Sequence, residues 1–260
     1  MRFELRRHQA GVEPLSRLPV LRGPTWGYRR KARLGVKYVE KKGGALVGFR
    51  EKAAPYVADI ETCGVLLPEV GEHLLALRDL INSLSNPNRI PQIEVAAGDD
   101  DVALVVRHLE LLNEADLERL AEFQRDTGLG IFLQPGAEDS VHALNDATPT
   151  LSYRIGDISI AFAPTDFTQV NGTMNLNMIA TVIDAMQPGA DDRVLDLYAG
   201  LGNFSLPLAQ HALHVHGIEG SDDPVTRARA NAAATGIPNA RFSVAKPAHP
   251  AALGRIRPAP

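Results

Sequence analysis

A glycine-containing loop at residues 199–204 carries the clearest chemical signal in the sequence. The loop holds Gly200 and Gly202, follows an apolar run typical of a strand, and leads into a helix start. Glycines at such a junction let the backbone approach a ligand closely, and the helix terminus offers unpaired N–H groups. Glu219 ends the next apolar run, where a carboxylate can accept hydrogen bonds from both hydroxyls of an adenosine ribose. This combination predicts a binding site for a nucleoside cofactor.

Two residues beside the loop bear on which cofactor it binds. Dinucleotide-binding loops carry a third glycine or an alanine so that helix and strand pack closely, and Ser205 occupies that position. Asp196 lies four residues before Gly200, and an acid near the loop suits the cationic S-adenosylmethionine (SAM) better than an anionic pyrophosphate. The electrostatics therefore favours SAM over NAD. An NAD-dependent oxidoreductase and a loop with a purely structural role are the alternatives.

The loop belongs to a strand–loop–helix–strand pattern that predicts one βαβ unit. The strands lie at residues 193–198 and 215–219, and the helix starts at Phe204. Such a unit implies parallel strands joined by a right-handed crossover, as in a Rossmann-like domain. Residues 28–163 instead mix strand and helix patterns without regular alternation, which is typical of an α+β domain. The predicted fold class is therefore an α+β central domain followed by a truncated, Rossmann-like α/β domain.

The domain boundaries follow from these patterns. We expect an irregular basic lead-in over residues 1–27, the central domain over 28–163, the first part of the Rossmann-like domain over 164–245, and an irregular tail over 246–260. Few strand patterns follow residue 164, so an unpaired sheet edge is also expected. Within the central domain the predicted elements are a helix from Pro68 to Leu84, a hairpin with strands 93–97 and 102–106, a helix ended by Gly128, and a strand pair over 151–162 broken at Gly156.

Charge is distributed unevenly along the chain. Residues 1–42 carry twelve Lys and Arg against three Asp and Glu, whereas the whole chain has a net charge of −4. Alternation in the strand pattern that begins at Tyr28 places apolar residues on one face and four cations on the other: Arg29, Lys31, Arg33 and Lys37. A cationic sheet face of this kind predicts contact with a polyanion. The alternative is a solvated basic surface without a partner.

Composition excludes several other classes of protein. No apolar stretch approaches the ~20 residues that span a bilayer, and residues 1–8 lack the apolar core of a secretion signal. Cys63 is the single cysteine, which excludes a disulfide framework and an intrachain metal site of several cysteines. The expected compartment is therefore the cytoplasm.

Together, the motifs resemble those of the bacterial uracil-C5 RNA methyltransferases, most closely the members that act on 23S ribosomal RNA. The similar segments are YRRKARL at 28–34, VGFR at 47–50, DIETC at 59–63, DFTQVN at 166–171 and VLDLYAGLGNF at 194–204. The resemblance implies a SAM-dependent methyltransferase with these cofactor contacts: Gln169, Tyr198, Gly200, Asn203 and Glu219. Gly202 and Asp196 complete the predicted cofactor site.

Three of these residues have structural alternatives. Gln169 lies just before a helix and could cap it instead of binding a ligand. Tyr198 could belong to the hydrophobic core, and Asp196 could brace the loop without touching the cofactor.

The resemblance also implies the chemistry. In this family a cysteine thiolate adds to uracil C6, and the enolate-like C5 takes the methyl group of SAM. A base then removes the C5 proton, which expels the thiolate from C6 and releases the enzyme. The nucleophilic cysteine and the base are expected beyond Pro260, so no catalytic residue is assigned and a fragment that is inactive alone is expected. The target nucleotide must leave its stack, so the expected partner is RNA, with neither DNA nor a membrane.

Cys63 matches the last of four [4Fe–4S] ligands in the 23S-type relatives, which favours ribosomal over transfer RNA as the partner. The other three ligands would precede residue 1. One thiolate cannot hold a cluster that needs about four, so no cluster is expected here. The alternative to an enzyme is an RNA-binding remnant, in which the basic residues hold RNA without catalysis.

Overall fold

The structure, a computed structural model, describes residues 17–245. Its larger sheet contains strands at Lys31–Val39 (β1), Gly44–Gly48 (β2), Gln92–Ala97 (β3), Val102–Arg107 (β4), Gly130–Gln134 (β5) and His142–Ala143 (β6). The strand order is β2–β1–β3–β4–β5–β6, with β4 and β5 parallel and the other neighbours antiparallel. The hairpin predicted over 93–106 is confirmed as β3 and β4.

Three helices pack against this sheet in a shared hydrophobic core. They span Pro68–Gly71 (α1), Leu74–Ser83 (α2) and Glu114–Thr127 (α3), and short 3-10 helices lie at Glu40–Lys42, Pro87–Arg89 and Glu138–Ser140. The side chain of Asn113 accepts the N–H of Asp116 to begin α3, and Gly128 ends it at a φ of +72°, as predicted.

The helix predicted from Pro68 to Leu84 is divided into α1 and α2. The carbonyl of Gly71 accepts a hydrogen bond from the N–H of Cys63 at 3.0 Å. In a continuous helix this carbonyl would bond to the N–H four residues later. The Gly71 carbonyl, which a single continuous helix would use as an acceptor, is thus bonded to the segment before α1. The chain turns there before α2 begins.

The second group of elements contains the predicted βαβ unit. Its members are Gly172–Met186 (α4), Arg193–Leu197 (β9), Ser205–Ala209 (α5), His214–Glu219 (β10), Asp222–Ala234 (α6) and Ala240–Val244 (β11). The three strands are parallel in the order β11–β10–β9. Within residues 17–245, β9 is an edge strand, and Leu195 and Leu197 on it are about two-fifths exposed. The other edge strand of this sheet within the described residues is β11.

A two-stranded hairpin links the two groups. It consists of Leu151–Ile155 (β7) and Ile158–Phe162 (β8), which match the predicted strand pair broken at Gly156. Its apolar residues pack in the same core cluster as the glycine loop and α6. The buried Asn231 of α6 accepts the N–H of Ala161 at 3.0 Å and donates to the Ala161 carbonyl at 3.1 Å and the Leu201 carbonyl at 3.3 Å. One side chain thereby ties the hairpin to the loop.

The domain division at residue 164 stays a prediction, as does the character of the tail. The hairpin that precedes residue 164 shares its core with residues that follow it. The predicted tail over 246–260 and the first sixteen residues of the lead-in lie outside the described residues. Among the helices within 17–245, none is both long enough and apolar enough to span a bilayer.

We expect Asn231→Ala to lower the free energy of unfolding by about 1–3 kcal/mol, because it removes the side-chain partner of the buried Leu201 carbonyl and of the partly buried backbone N–H of Ala161. Chemical denaturation followed by circular dichroism measures the change. Asn88→Ala, at an exposed position, is the matched control and should leave stability unchanged. Equal stabilities of the two variants would show that Asn231 does not hold the hairpin in place.

Candidate functional site

The loop after β9 adopts a backbone conformation that few residues tolerate. Tyr198, Gly200 and Gly202 have φ angles of +62°, +53° and +92°. The left-handed region is easy for glycine and costly for a bulky aromatic residue. Tyr198 is also 66% exposed, so core packing does not explain its position. A non-glycine residue in this region between a strand and a helix is typical of a functional site.

The two glycines of the loop face different surroundings. A Cβ atom on Gly200 would meet nothing within 4 Å, so the backbone there is open to a ligand. A Cβ atom on Gly202 would lie 3.0 Å from Leu206 and 3.2 Å from Phe242. Gly202 is therefore required by packing beneath the loop, whereas Gly200 leaves free space above it.

Glu219 closes the loop onto the next strand. Its carboxylate accepts the N–H of Gly200 at 3.1 Å and the N–H of Gly220 at 2.5 Å. The N–H of Ala199 also donates to the carbonyl of Ile218 at 3.1 Å. The half-buried carboxylate has further lone pairs, so it can still accept hydrogen bonds from ligand hydroxyls.

Asp196 lies under the loop and is tied to the helix that follows. Its carboxylate accepts a 2.6 Å hydrogen bond from the hydroxyl of Ser205, which is fully buried. Burial raises the pKa of Asp196, while the hydrogen bonds from Ser205 act in the opposite direction. Ser205, which stands where a dinucleotide-binding loop carries its third glycine, thus hydrogen-bonds to Asp196 on β9. This contact matches the bracing alternative for Asp196.

A shallow concavity lies beside the loop. It is lined by Tyr153, Phe167, Thr168, Gln169, Tyr198, Ala199, Gly200, Leu201, Asn203 and Phe204. The structure therefore brings together four of the predicted cofactor residues: Gln169, Tyr198, Gly200 and Asn203. The other three do not line this concavity: Gly202 lies in the loop itself, Glu219 bonds to Gly200, and Asp196 bonds to Ser205.

The segment that carries Gln169 is fixed from two sides. The N–H of Arg30 donates to the carbonyl of Val170 at 2.8 Å, and Arg227 pairs with the carboxylate of Asp166 at 2.6 Å. The cap of α4 is Asn171, whose side chain accepts the N–H of Met174 at 3.0 Å. Helix capping is therefore not the role of Gln169.

Two residues of the site gave no signal in the sequence, Tyr153 and Asn175, and a third, Phe167, was present only as a member of the DFTQVN segment. Phe167 is 80% exposed beside the concavity. Tyr153 on β7 donates from its hydroxyl to Asn203 at 2.9 Å, and Asn175 on α4 pairs with the same side chain. Tyr153 and Asn203 are fifty positions apart in the chain. Their contact depends on the packing of the hairpin, which no local pattern encodes.

The four predicted RNA-binding cations have different surroundings. Arg33 and Lys37 are exposed on β1, although Arg33 also pairs with Glu94 at 2.7 Å. Lys31 is half-buried and donates to the carbonyl of Pro164. Arg29 is half-buried with its guanidinium 5.9 Å from the centre of the Phe49 ring. Of the four, only Arg33 and Lys37 present exposed side chains.

Cys63 is half-buried and lines a separate concavity of about 510 Å³ with the 70% exposed Trp26. Within residues 17–245, no three His, Cys, Asp or Glu side chains lie close enough together to hold a metal ion. The described residues therefore do not fit an iron–sulfur cluster by themselves.

A family model named tRNA (uracil-5-)-methyltransferase matches residues 100–247, which is more than half of the chain. The chain belongs to this family. The match begins before β4 and ends beyond β11, so it includes the hairpin, the glycine loop and Glu219.

Curated relatives agree with this assignment. The chain is 50% identical over 240 residues to a 23S rRNA (uracil(1939)-C(5))-methyltransferase RlmD of Alkalilimnicola ehrlichii, covering 90% of this chain and 54% of the relative. It is 47% identical over 243 residues to the protein of the same name from Hahella chejuensis, covering 92% of this chain and 54% of the relative. The chain thus spans about half the length of the curated relatives that it matches.

The fold is also found in a solved structure. The tRNA (uracil-54, C5)-methyltransferase of Pyrococcus abyssi, in complex with S-adenosyl-L-homocysteine, superposes with a TM-score of 0.64 at 19% identity. The match covers 86% of this chain and 56% of that one. The family member described here therefore shares the mixed α/β architecture with a uracil methyltransferase.

We expect Ser205→Ala to raise the pKa of Asp196 further, because it removes a donor that stabilises the carboxylate while burial is retained. Carboxyl-carbon NMR titration measures this pKa. Ser159→Ala, exposed on β8, is the control. Because the pKa of Asp196 is higher in the folded than in the unfolded chain, this group stabilises the fold at low pH, and that stability is lost as the pH rises through the folded-state pKa. The variant, with a still higher folded-state pKa, should therefore lose this stability over a wider pH range. An unchanged pKa of Asp196 would contradict the bracing contact.

Proposed function

We propose that the chain provides the SAM-binding part of an enzyme that methylates C5 of a uridine in 23S ribosomal RNA. The observation that carries this proposal is the concavity beside the glycine loop. It gathers Gln169, Tyr198, Gly200 and Asn203 at the carboxyl end of a parallel strand, where α/β folds bind their ligands. The family match and the names of the curated relatives support both the cofactor and the reaction.

The residues present fit a nucleoside cofactor. Gly200 leaves the backbone open, and Glu219 can accept hydrogen bonds from ribose hydroxyls at the end of β10. The concavity itself holds only about 90 Å³, so a ligand of SAM's size would lie across it and extend along the loop. The carboxylates of Asp196 and Glu219 favour a cationic ligand over an anionic one.

The contact between Ser205 and Asp196 disfavours the NAD alternative. A pyrophosphate would be placed near two carboxylates, and the close helix–strand packing of a dinucleotide loop is replaced by a hydrogen bond. SAM, when bound, supplies an electrophilic methyl group. The loop and its neighbours would bind and orient this cofactor.

No residue of the chain is assigned the nucleophilic or the basic role. Cys63, the single cysteine, lines a concavity other than the cofactor concavity. Its match to a cluster ligand stays a prediction, and no step is derived through iron. We also propose a cytoplasmic location, because the names of the relatives describe enzymes of ribosomal RNA.

We further propose that Arg33 and Lys37 contribute to RNA binding. Both are exposed cations on the same face of β1, at the separation that a strand gives residues of one parity. Arg29 and Lys31 would instead act from half-buried positions, through packing on Phe49 and a bond to the Pro164 carbonyl.

Isothermal titration calorimetry of the chain with SAM tests the cofactor site. We expect the native sequence to bind SAM. Glu219→Ala and Asp196→Ala should each weaken the free energy of SAM binding by about 1–3 kcal/mol, because each removes a charged hydrogen-bonding group. Glu118→Ala, at an exposed position on α3, is the matched control. Titration with NADH on the same sample distinguishes the alternative cofactor. Native-sequence binding of NADH but not SAM would reverse the assignment.

Fluorescence anisotropy with a single-stranded, uridine-containing RNA tests the cationic face. We expect Arg33→Gln and Lys37→Gln together to reduce the slope of log affinity against log salt by about 0.7 for each phosphate that the protein no longer neutralises. Arg125→Gln, an exposed arginine on α3, should leave the slope unchanged. If both substitutions leave the RNA affinity and its salt dependence unchanged, β1 is not part of the RNA-binding surface. RNA binding without SAM binding would favour the non-catalytic remnant.

A further inference from the structure

A hydrogen-bonded network of three side chains lies against the cofactor concavity. The Tyr153 hydroxyl donates to Oδ1 of Asn203 at 2.9 Å, and Nδ2 of Asn175 donates to the same oxygen at 2.8 Å. Nδ2 of Asn203 donates back to Oδ1 of Asn175 at 2.9 Å. The network joins three separate elements, namely β7, α4 and the glycine loop.

The network limits what Asn203 can offer to a ligand. An amide oxygen has two lone pairs, and both acceptor positions of Asn203 are used by Tyr153 and Asn175. The amide nitrogen has two hydrogens, and the bond to Asn175 uses one of them. One N–H is therefore left for a ligand in the concavity that Asn203 lines.

The orientation of the Asn203 amide follows from the phenol. Turning both amides over would place N–H groups toward the phenol oxygen and leave the phenol O–H without this acceptor. A buried hydroxyl that loses its acceptor is costly. Burial raises the pKa of Tyr153, with Arg30 and Asp99 acting in opposite directions, so the phenol keeps its proton and acts as a donor.

We propose that Tyr153 and Asn175 are positioning residues that lock the Asn203 amide, so that Asn203 meets the cofactor only as a hydrogen-bond donor. The ligand group it contacts must then be an acceptor, such as a carboxylate or a ribose oxygen. This inference rests on the proposed binding of SAM in the same concavity. Asn175 is only 4% exposed, so its effect on the cofactor passes through Asn203.

Tyr153→Phe tests the lock with little change in shape. It removes one of the two donors to Oδ1 of Asn203 and allows the amide to turn over. We expect SAM to bind about 5-fold more weakly, the usual effect of one neutral hydrogen bond, as measured by calorimetry. Tyr38→Phe, at a 40% exposed position on β1, is the matched control and should bind SAM as the native sequence does.

Asn175→Asp adds a readout that a merely structural role would not affect. As a carboxylate, the introduced group cannot donate to Oδ1 of Asn203; as a protonated acid, it can donate and accept like the amide it replaces. Burial raises the pKa of such a group. We expect the SAM affinity of the variant, relative to the native sequence at the same pH, to be about 10-fold lower at pH 8 and to recover as the pH falls. Circular dichroism at each pH confirms folding.

The outcomes separate the two proposals. Suppose that the native sequence binds SAM and that Tyr153→Phe binds it equally well. If the SAM affinity of Asn175→Asp relative to the native sequence is also independent of pH, the lock is overturned and the cofactor site stands. If the native sequence does not bind SAM, the proposed function fails and this role fails with it. If Asn175→Asp does not fold, the result for Tyr153→Phe decides, because that variant keeps the ring in place.

Discussion

The turn after β9 must hold its backbone in a left-handed conformation at Tyr198, Gly200 and Gly202. Three φ angles lie between +53° and +92° within five residues, and the one at Tyr198, which is not a glycine, is costly unless the surroundings fix it. Four hydrogen bonds supply this constraint. The N–H of Gly200 donates to Glu219, and the Ser205 hydroxyl donates to Asp196. The Asn231 amide donates to the Leu201 carbonyl, and the Tyr153 hydroxyl donates to Asn203. The loop is therefore positioned by the elements around it, and not by its glycines alone.

The hairpin β7–β8 is central to this arrangement. It pairs with neither of the two larger sheets, yet Tyr153 and Ala161 on it contact the loop and α6 through side-chain hydrogen bonds. Asp99, between β3 and β4, accepts the N–H of Arg154 at 2.8 Å and pairs with Arg30 at 2.5 Å. The hairpin thus connects the six-stranded sheet to the glycine loop through side-chain hydrogen bonds.

The cationic face of β1 shows how a sequence pattern can be correct in part. Alternation places Arg33 and Lys37 in solvent while Ala32, Leu34 and Val36 are buried, as a half-exposed strand requires. Tyr38 departs from this pattern at 40% exposure, because β1 there approaches its turn. Arg29 and Lys31 lie where β1 meets the segment before α4. Their long apolar stems are partly buried there, while the charged group of Lys31 bonds to the Pro164 carbonyl and that of Arg29 lies over the Phe49 ring.

The sequence by itself determined the elements and the loop. The helix ended by Gly128, the strand pair broken at Gly156 and the βαβ unit around Gly200 follow from local propensity and periodicity, which act over a few residues. The division between α1 and α2 could not be predicted, since the Gly71 carbonyl there accepts a hydrogen bond from the N–H of Cys63, which lies outside the helix. Only the tertiary structure decided that Asn171 and not Gln169 caps α4, that Ser205 binds Asp196, and that Tyr153 and Asn175 reach Asn203. Such contacts either join residues that are far apart in the chain or select one of several equivalent polar groups. Tertiary packing decides which contacts form, and no local sequence pattern records that packing.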